Sequence, residues 1–490
     1  MMRSMFSGVS GLRAHQTRMD VIGNNIANVN TVGFKSGRVT FQEIFSQTLR
    51  GASAPDSDIG RGGTNPMQVG LGLGINSVDT LMTRGSVQRT DNLTDLAIEG
   101  EGFFIVKGSN NTEPQFTRAG NFMVDQLGNL VTANGLMVQG WMDYDLDSKV
   151  FNTESDMVGI NLYNGGPIAN KKIIPPKATD KAIFSGNLNS SAKSVADFND
   201  DTAATTDDIP VGTSFDSLTK SQALGHKDRL EKDSPGSTFS TTMKIYDELG
   251  NPYNVNLHFI KMGAGTSASG DPVTEWKCIV DPGADLKVSN PATTDPLAAT
   301  DVYYFDIEFD TNGKHYSNGL PVDTTDSLQK LKFFPNTINN AADAYKAEID
   351  LTGLSNYALD FSAKPTDVNG YPSANLVTFS IGSDGIITGI YSNGEQMPLG
   401  QIALGAFENP AGLEKVGQNL FRETTNSGAY RKTKPAPGVG TLSPGTLEMS
   451  NVDLSKEFTE MIVTQRGFQA NSRIITTSDE MLQELVNLKR

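Results

Sequence analysis

At both ends of this chain, apolar side chains return in alternating steps of three and four. Met2, Met5, Val9, Leu12, Gln16, Met19, Gly23 and Ile26 trace the first series. Leu454, Phe458, Met461, Gln465, Phe468, Ser472, Ile475, Asp479, Leu482 and Val486 trace the second. A heptad rhythm of this kind draws a narrow apolar stripe along one side of an α-helix. It predicts helices over residues 2–28 and 453–488. Asp453 is placed to cap the second helix, Glu457 and Glu460 lie near its positive end, and Lys489 and Arg490 near its negative end. A helix with one thin stripe cannot bury it alone. Two such helices pair with each other, or with the helices of further copies, and the second arrangement builds a polymer. Gln16, Ser472 and Asp479 interrupt the stripes, either fixing register or facing water.

The long stretch between the helices reads as turn-rich β structure. Residues 103–106 (FFIV) form a compact apolar run, and hairpin signals stand at Leu127-Gly128-Asn129 and Asn134-Gly135. Further signals follow at Leu249-Gly250-Asn251, Thr311-Asn312-Gly313, Asn318-Gly319, Gly382-Ser383-Asp384-Gly385 and Ser392-Asn393-Gly394. Residues 51–66 are rich in Gly, Ser, Pro and Asp, and 433–444 in Pro and Gly, so both read as connectors. Residues 196–220 and 281–300 are polar enough for long exposed loops. The helices and linkers mirror each other in order. The expected fold is therefore mixed and mainly β, with a terminal α-helical coiled coil and nested layers. The terminal helices take 1–30 with 451–490, and a connecting hairpin region takes 31–75 with 426–450. An inner β domain takes 76–144 with 376–425, and an outer β insert of one or two lobes takes 145–375.

Charge and composition narrow the partners. The formal net charge of −16 argues against nucleic acid. The first fifty residues are the exception, with Arg3, Arg13, Arg18, Lys35, Arg38 and Arg50 against Asp20 and Glu43. This segment is suited to acidic neighbours. No apolar run approaches the length of a spanning helix, so membrane insertion is not expected. No apolar region follows Arg3, so no cleaved secretory leader is expected.

Candidate chemistry is sparse. Residues 70–74 (GLGLG) lack the strand–turn–helix context of a dinucleotide fingerprint and read as a tight turn. His15, His226, His258 and His315 show no metal-ligand spacing. The doublets Asp200-Asp201 and Asp207-Asp208 read as solvated charge. Cys278 is the single cysteine and lies in a strand-like run (residues 276–280, WKCIV), which predicts a buried thiol. No catalytic residues, cofactor or metal are expected.

Residues 7–12 (SGVSGL) and 24–35 (NNIANVNTVGFK) resemble the N-terminal signature of the bacterial flagellar rod and hook proteins. Residues 451–458 (NVDLSKEF) and 465–472 (QRGFQANS) resemble their C-terminal signature. Residues 186–191 (GNLNSS), 243–252 (MKIYDELGNP), 399–410 (LGQIALGAFENP) and 412–417 (GLEKVG) are similar to hook-type segments, which favours the hook branch over the shorter rod proteins. The resemblance marks Asn24, Asn25, Asn28, Asn30, Gly33, Phe34 and Lys35 as motif residues. It implies a non-enzymatic subunit that leaves the cell through the flagellar type III apparatus and polymerises into a curved tube, the universal joint between rod and filament. Implied partners are further copies of the chain, the distal rod protein, and the hook cap and hook–filament junction proteins. Met5, Val9, Leu12, Met19, Ile26, Leu454, Phe458, Met461, Phe468, Ile475 and Leu482 would form the assembly interface. A distal rod protein is the alternative within the family, and an extracellular carbohydrate-binding, adhesin-like β protein the alternative outside it. In some hook proteins a cysteine is joined covalently to a lysine of a neighbour. Here Lys277 and Cys278 would point to opposite faces of a strand, which favours an inert thiol.

Overall fold

The computed structural model describes residues 2–54, 62–108, 113–145, 148–165, 170–194, 224–225, 227–228, 231–232, 236–266, 270–283, 286–289, 303–317, 320–321, 329–335 and 345–488. Asn318-Gly319, His226, the two aspartate doublets, residues 196–220, most of 284–300, Lys489 and Arg490 fall outside them. The chain is mainly β with one long helix at each end. It divides into two compact units, Met1–Lys172 with Leu376–Arg490, and Ile173–Asn375. Residues 145–172 thus belong to the first unit.

The first unit interleaves the two halves of the chain. Strand Met137–Trp141 pairs with Gln396–Ile402 through Gly140↔Ile402, and Gln115–Thr117 pairs with Leu420–Arg422. Leu404–Ala406 lies against Phe103–Lys107, Gly440–Pro444 against Leu96–Gly100, and Thr446–Glu448 against Val87–Arg89. Every one of these pairs is antiparallel and joins residues from opposite ends of the sequence. The apolar run at 103–106 is explained by burial on both sides. Phe104 and Val106 enter one core with Leu130, Val138, Leu399 and Ile402, while Phe103 and Ile105 enter another with Phe116, Trp141 and Phe421.

The second unit packs two sheets over one core. A six-stranded antiparallel sheet runs Thr238–Tyr246, Pro252–Thr266, Pro272–Asp281, Tyr303–Phe309, His315–Ser317, Leu320–Pro321. A five-stranded sheet has Lys181–Asn187 beside Tyr345–Ser355 in parallel. Phe184, Met243, Val255, Trp276, Ile349 and Leu351 meet between them. Cys278 is wholly buried here, and burial pushes its thiol pKa up, so it has no thiolate character.

Several hairpins share one device. Asp125 accepts from Asn129 N at 2.7 Å and Asn129 Nδ2 at 2.8 Å. Asp247 does the same for Asn251 at 2.7 and 2.9 Å, and Asp310 accepts from Lys314 N at 2.8 Å. Gly128, Gly250 and Gly313 sit between these partners at φ of 91°, 82° and 74°, where a Cβ would strain the backbone.

Candidate assembly interface and its junction with the β unit

Helix α1 spans Met2–Ala27 and helix α2 spans Leu454–Asn487. Asp453 caps α2 by accepting from Ser455 N at 2.9 Å and Lys456 N at 3.3 Å. The helices pack antiparallel. A Cβ on Gly11 would stand 2.7 Å from Asn471 Nδ2, and one on Gly467 would stand 2.8 Å from the His15 ring. Arg18 Nη2 donates to Glu460 Oε2 at 3.1 Å, and Asn25 lies beside the Glu457 carboxyl. Burial, and secondarily Arg18, hold the His15 imidazole below its usual pKa. Burial raises the Glu457 carboxyl, with Asn25 opposing.

The rhythm of the seam matches the heptads, but its phase is one residue earlier. Positions 8, 11, 15, 18, 22 and 25 face the partner helix or the hairpin beside it, not 9, 12, 16, 19, 23 and 26. On α2 the inward positions are 457, 460, 464, 467, 471 and 478. One residue turns a helix by ~100°. The reason is steric: Gly11 and Gly467 leave room for the Asn471 side chain and the His15 ring, Gly8 lies against the Asn471 backbone oxygen, and Thr464 and Ser478 are buried in the same gap. Ile22 is buried at an inward position and Ile475 packs over Gly8, but most of the larger apolar side chains are displaced to the flanks. Met5, Val9, Leu12, Met19 and Ile26 are half-buried, as are Met461, Ile475 and Leu482. Leu454, Phe458 and Phe468 are 39%, 50% and 37% exposed. Phe6, Ile462, Val463, Ile474, Met481 and Leu485 are exposed as well, and heptad counting passes over them because they lie off its register.

A β-arm accompanies the helices. Strands β1 (Gly37–Glu43) and β4 (Leu73–Thr80) pair, and so do β2 (Ser46–Arg50) and β3 (Met67–Gly70). Ile44, Phe45, Leu49, Met67, Val69 and Val78 are exposed on it.

The motif residues assemble the joint between the helices and the β unit. Asn25 brackets Gly37, accepting from its N at 2.9 Å and donating to its O at 2.8 Å. Asn28 Nδ2 donates to Asn24 Oδ1 at 2.7 Å, closing the end of α1, and Asn30 is exposed. Gly33 adopts φ 68°, and a Cβ there would lie 2.6 Å from Ala119 N. Lys415 stacks 5.1 Å from the Phe34 ring centroid and donates to Lys35 O at 3.0 Å. Lys35 is buried and pairs with Glu448 at 2.6 Å. From the C-terminal signature, Asn451 accepts from Ser36 N at 2.8 Å and donates to Leu81 O at 2.9 Å. Lys415 comes from the hook-type segment 412–417, while Glu448, Arg118 and Asn419 complete the joint without any marking in the sequence pattern, because each meets its partner only through the fold.

Four family models match the chain. They are described as flagella basal body rod protein (residues 5–35), flagellar hook protein FlgE/F/G D1 domain (97–183), flagellar basal body protein FlaE D2 domain (229–371) and flagellar basal body rod FlgEFG protein C-terminal (443–488). The chain is 39% identical over 497 residues to the flagellar hook protein FlgE of Borreliella burgdorferi, with all of both chains covered. The chain belongs to the flagellar hook protein FlgE family. It is also 37% identical over 510 residues to FlgE of Treponema pallidum, again with all of both chains covered. It is 31% identical to FlgE of Salmonella typhimurium, covering 99% of this chain and 100% of that one. Members of the FlgE family are structural proteins of the flagellar hook and not enzymes, which sets aside the adhesin-like alternative. No described helix is long and apolar enough to cross a membrane.

Proposed function

We propose that this chain is the repeating subunit of a flagellar hook, polymerising through its terminal helices into the curved tube that passes torque from rod to filament. One observation carries this reading: many of the large apolar residues of α1 and α2, Phe6, Leu454, Phe458, Ile462, Val463 and Phe468 among them, are exposed outside the intrachain seam, where they remain open to other helices. A helix pair with a small, polar inner seam and apolar flanks is suited to continued association. Met5, Val9, Leu12, Met19, Ile26, Leu454, Phe458, Met461, Phe468, Ile475 and Leu482 serve as the contact set between copies. The layers in this reading are helices at 1–30 with 451–490, an arm and connectors at 31–75 with 426–450, an inner wall at 76–144 with 376–425 that residues 145–172 join, and an outer wall at 173–375. The polar outer wall slides against neighbours through hydrated contacts as the tube bends.

Export through the flagellar type III apparatus without a cleaved leader, an extracellular location, and end contacts with the distal rod, hook cap and hook–filament junction proteins belong to the same reading. The test is Phe468→Asp in a motile strain. Cells that secrete folded subunit but build no hook are expected; hooks of normal length and shape would refute the assignment of this interface. Deleting the gene separates the two family alternatives, since rods that end without hooks indicate a hook subunit and truncated rods a distal rod protein.

A further inference from the structure

Glu448 is the last residue of strand Thr446–Glu448, shortly before α2. Its carboxylate is wholly buried, and three separate stretches of chain converge on it. Oε1 accepts from Lys35 Nζ at 2.6 Å and from Gly85 N at 3.0 Å. Oε2 faces Arg118 Nη1 at 3.4 Å, and the Glu448 backbone oxygen accepts from Gly33 N at 2.8 Å. Lys35 belongs to the segment leaving α1, and Arg118 follows strand Gln115–Thr117 of the β unit. Each cation has one further anchor of its own: Lys35 Nζ donates to Thr83 O at 2.8 Å, and Arg118 Nη1 to Gly100 O at 2.8 Å. Arg118 also lies over the Phe103 ring, 4.8 Å from its centroid. Arg84, whose charge reaches both cations, is paired with Glu99 at 3.2 Å.

Two buried cations therefore share one buried carboxylate, and that carboxylate joins the exit of one helix, the entry of the other and the sheet between them. We propose that Glu448 is a positioning residue, the keystone that fixes the terminal helix pair to the β unit. Neutralising it leaves Lys35 and Arg118 buried together with no buried counter-charge, only the exposed Glu101 acting on Arg118 from a distance, whereas removing Lys35 leaves the Glu448–Arg118 pair intact. The loss is accordingly largest for Glu448→Gln and is concentrated at the joint. The β unit has its own cores around Phe104 and Phe103, and the helix pair its own seam.

Hydrogen exchange on the full-length chain tests this. In Glu448→Gln, amides of 31–36, 83–86 and 449–453 are expected to exchange roughly tenfold faster or more, while Phe103–Lys107 and Gln396–Ile402 keep wild-type protection. Lys35→Met is expected to show the same pattern, more weakly. Wild-type exchange at the joint in Glu448→Gln would overturn the proposal, and so would protection lost evenly through the β unit. If Glu448→Gln does not fold, Lys35→Met decides by the same two criteria, and unfolding of both would assign the triad to general core stability and overturn the keystone role. A second arm rests on the hook reading: hooks built from Lys35→Met should be torsionally softer than wild type. Wild-type stiffness alongside a loosened joint would count against load passing through this contact and leave the exchange result standing.

Discussion

Phe458 distinguishes the seam within one chain from the contacts proposed between chains. Its side chain is half exposed and belongs to neither core of the β unit. Complete burial of a phenylalanine contributes about 1.5–3 kcal/mol, so covering the exposed half on assembly contributes about 1 kcal/mol for each subunit added. At a factor of ten per ~1.4 kcal/mol, Phe458→Ala should raise the critical concentration for polymerisation about fivefold. Phe458→Asp adds a carboxylate with no partner in the same contact, a cost of several kcal/mol, and should abolish polymerisation at any practical concentration. The assay is the protein left in the supernatant after polymer is pelleted at equilibrium. Thermal unfolding of the β unit, followed by near-UV circular dichroism, should be unchanged in both variants. Met461, half-buried beside the seam, provides the contrast: its truncation to alanine should loosen the helix pair in the free chain as well. If Phe458→Ala and Phe458→Asp both polymerise at the wild-type critical concentration, the flank is not an interface and the assignment fails.

Other expectations concern the free chain. Gly467→Ala should destabilise the helix pair, because its Cβ would meet the His15 ring at 2.8 Å; overpacking of about 1–3 kcal/mol outweighs the ~1 kcal/mol gained in helix propensity. Gly23→Ala meets nothing within 4 Å and should stabilise α1 by about 0.5–1 kcal/mol; far-UV melting curves check both. Acid should weaken the pair through His15: its folded pKa is lowered, so its contribution is present above pH 6.5, is lost as pH falls through the lowered value, and disappears from the pH profile in His15→Asn. Glu457 acts in the opposite sense, since its raised folded pKa gives stability at low pH that is lost as pH rises through that value. Lys171 is buried against the Leu399 carbonyl, and burial lowers its pKa from 10.5 to about 8. The folded chain thus binds this proton less readily than the unfolded chain, so wild-type stability should rise as pH increases from about 8 toward 10.5. Lys171→Met should stabilise the β unit at pH 7 by on the order of 1–3 kcal/mol, with the gain shrinking as pH rises above about 8 and mostly gone by about 10.5; denaturant unfolding at pH 7 and pH 10.5 measures it.

Local chemistry was enough to place much of this fold. Heptad spacing located α1 and α2 because a 3.6-residue turn imposes its period on any helix that buries one side, and Asp453 marked the start of α2 because its carboxylate satisfies amides that the first turn leaves open. The turns at Gly128, Gly250 and Gly313 were legible from their Gly and Asn signals because a positive φ is a local demand, whereas the bracing carboxylates of Asp125, Asp247 and Asp310 emerged with the structure. The phase of the helical seam was not. Apolar content points to positions 9, 12, 458 and 468 as the inner face, but close approach over Gly8, Gly11 and Gly467 sets positions 8, 11, 457 and 467 there. Which face of a helix turns inward depends on the surface it meets, and that surface belongs to residues some 440 positions away, as Arg18 and Glu460 show. Lys35, Arg118 and Glu448 are the same case in electrostatic form. Each is an ordinary charged residue in its own neighbourhood, and the tertiary fold makes them one buried group by excluding the water that would otherwise solvate them separately.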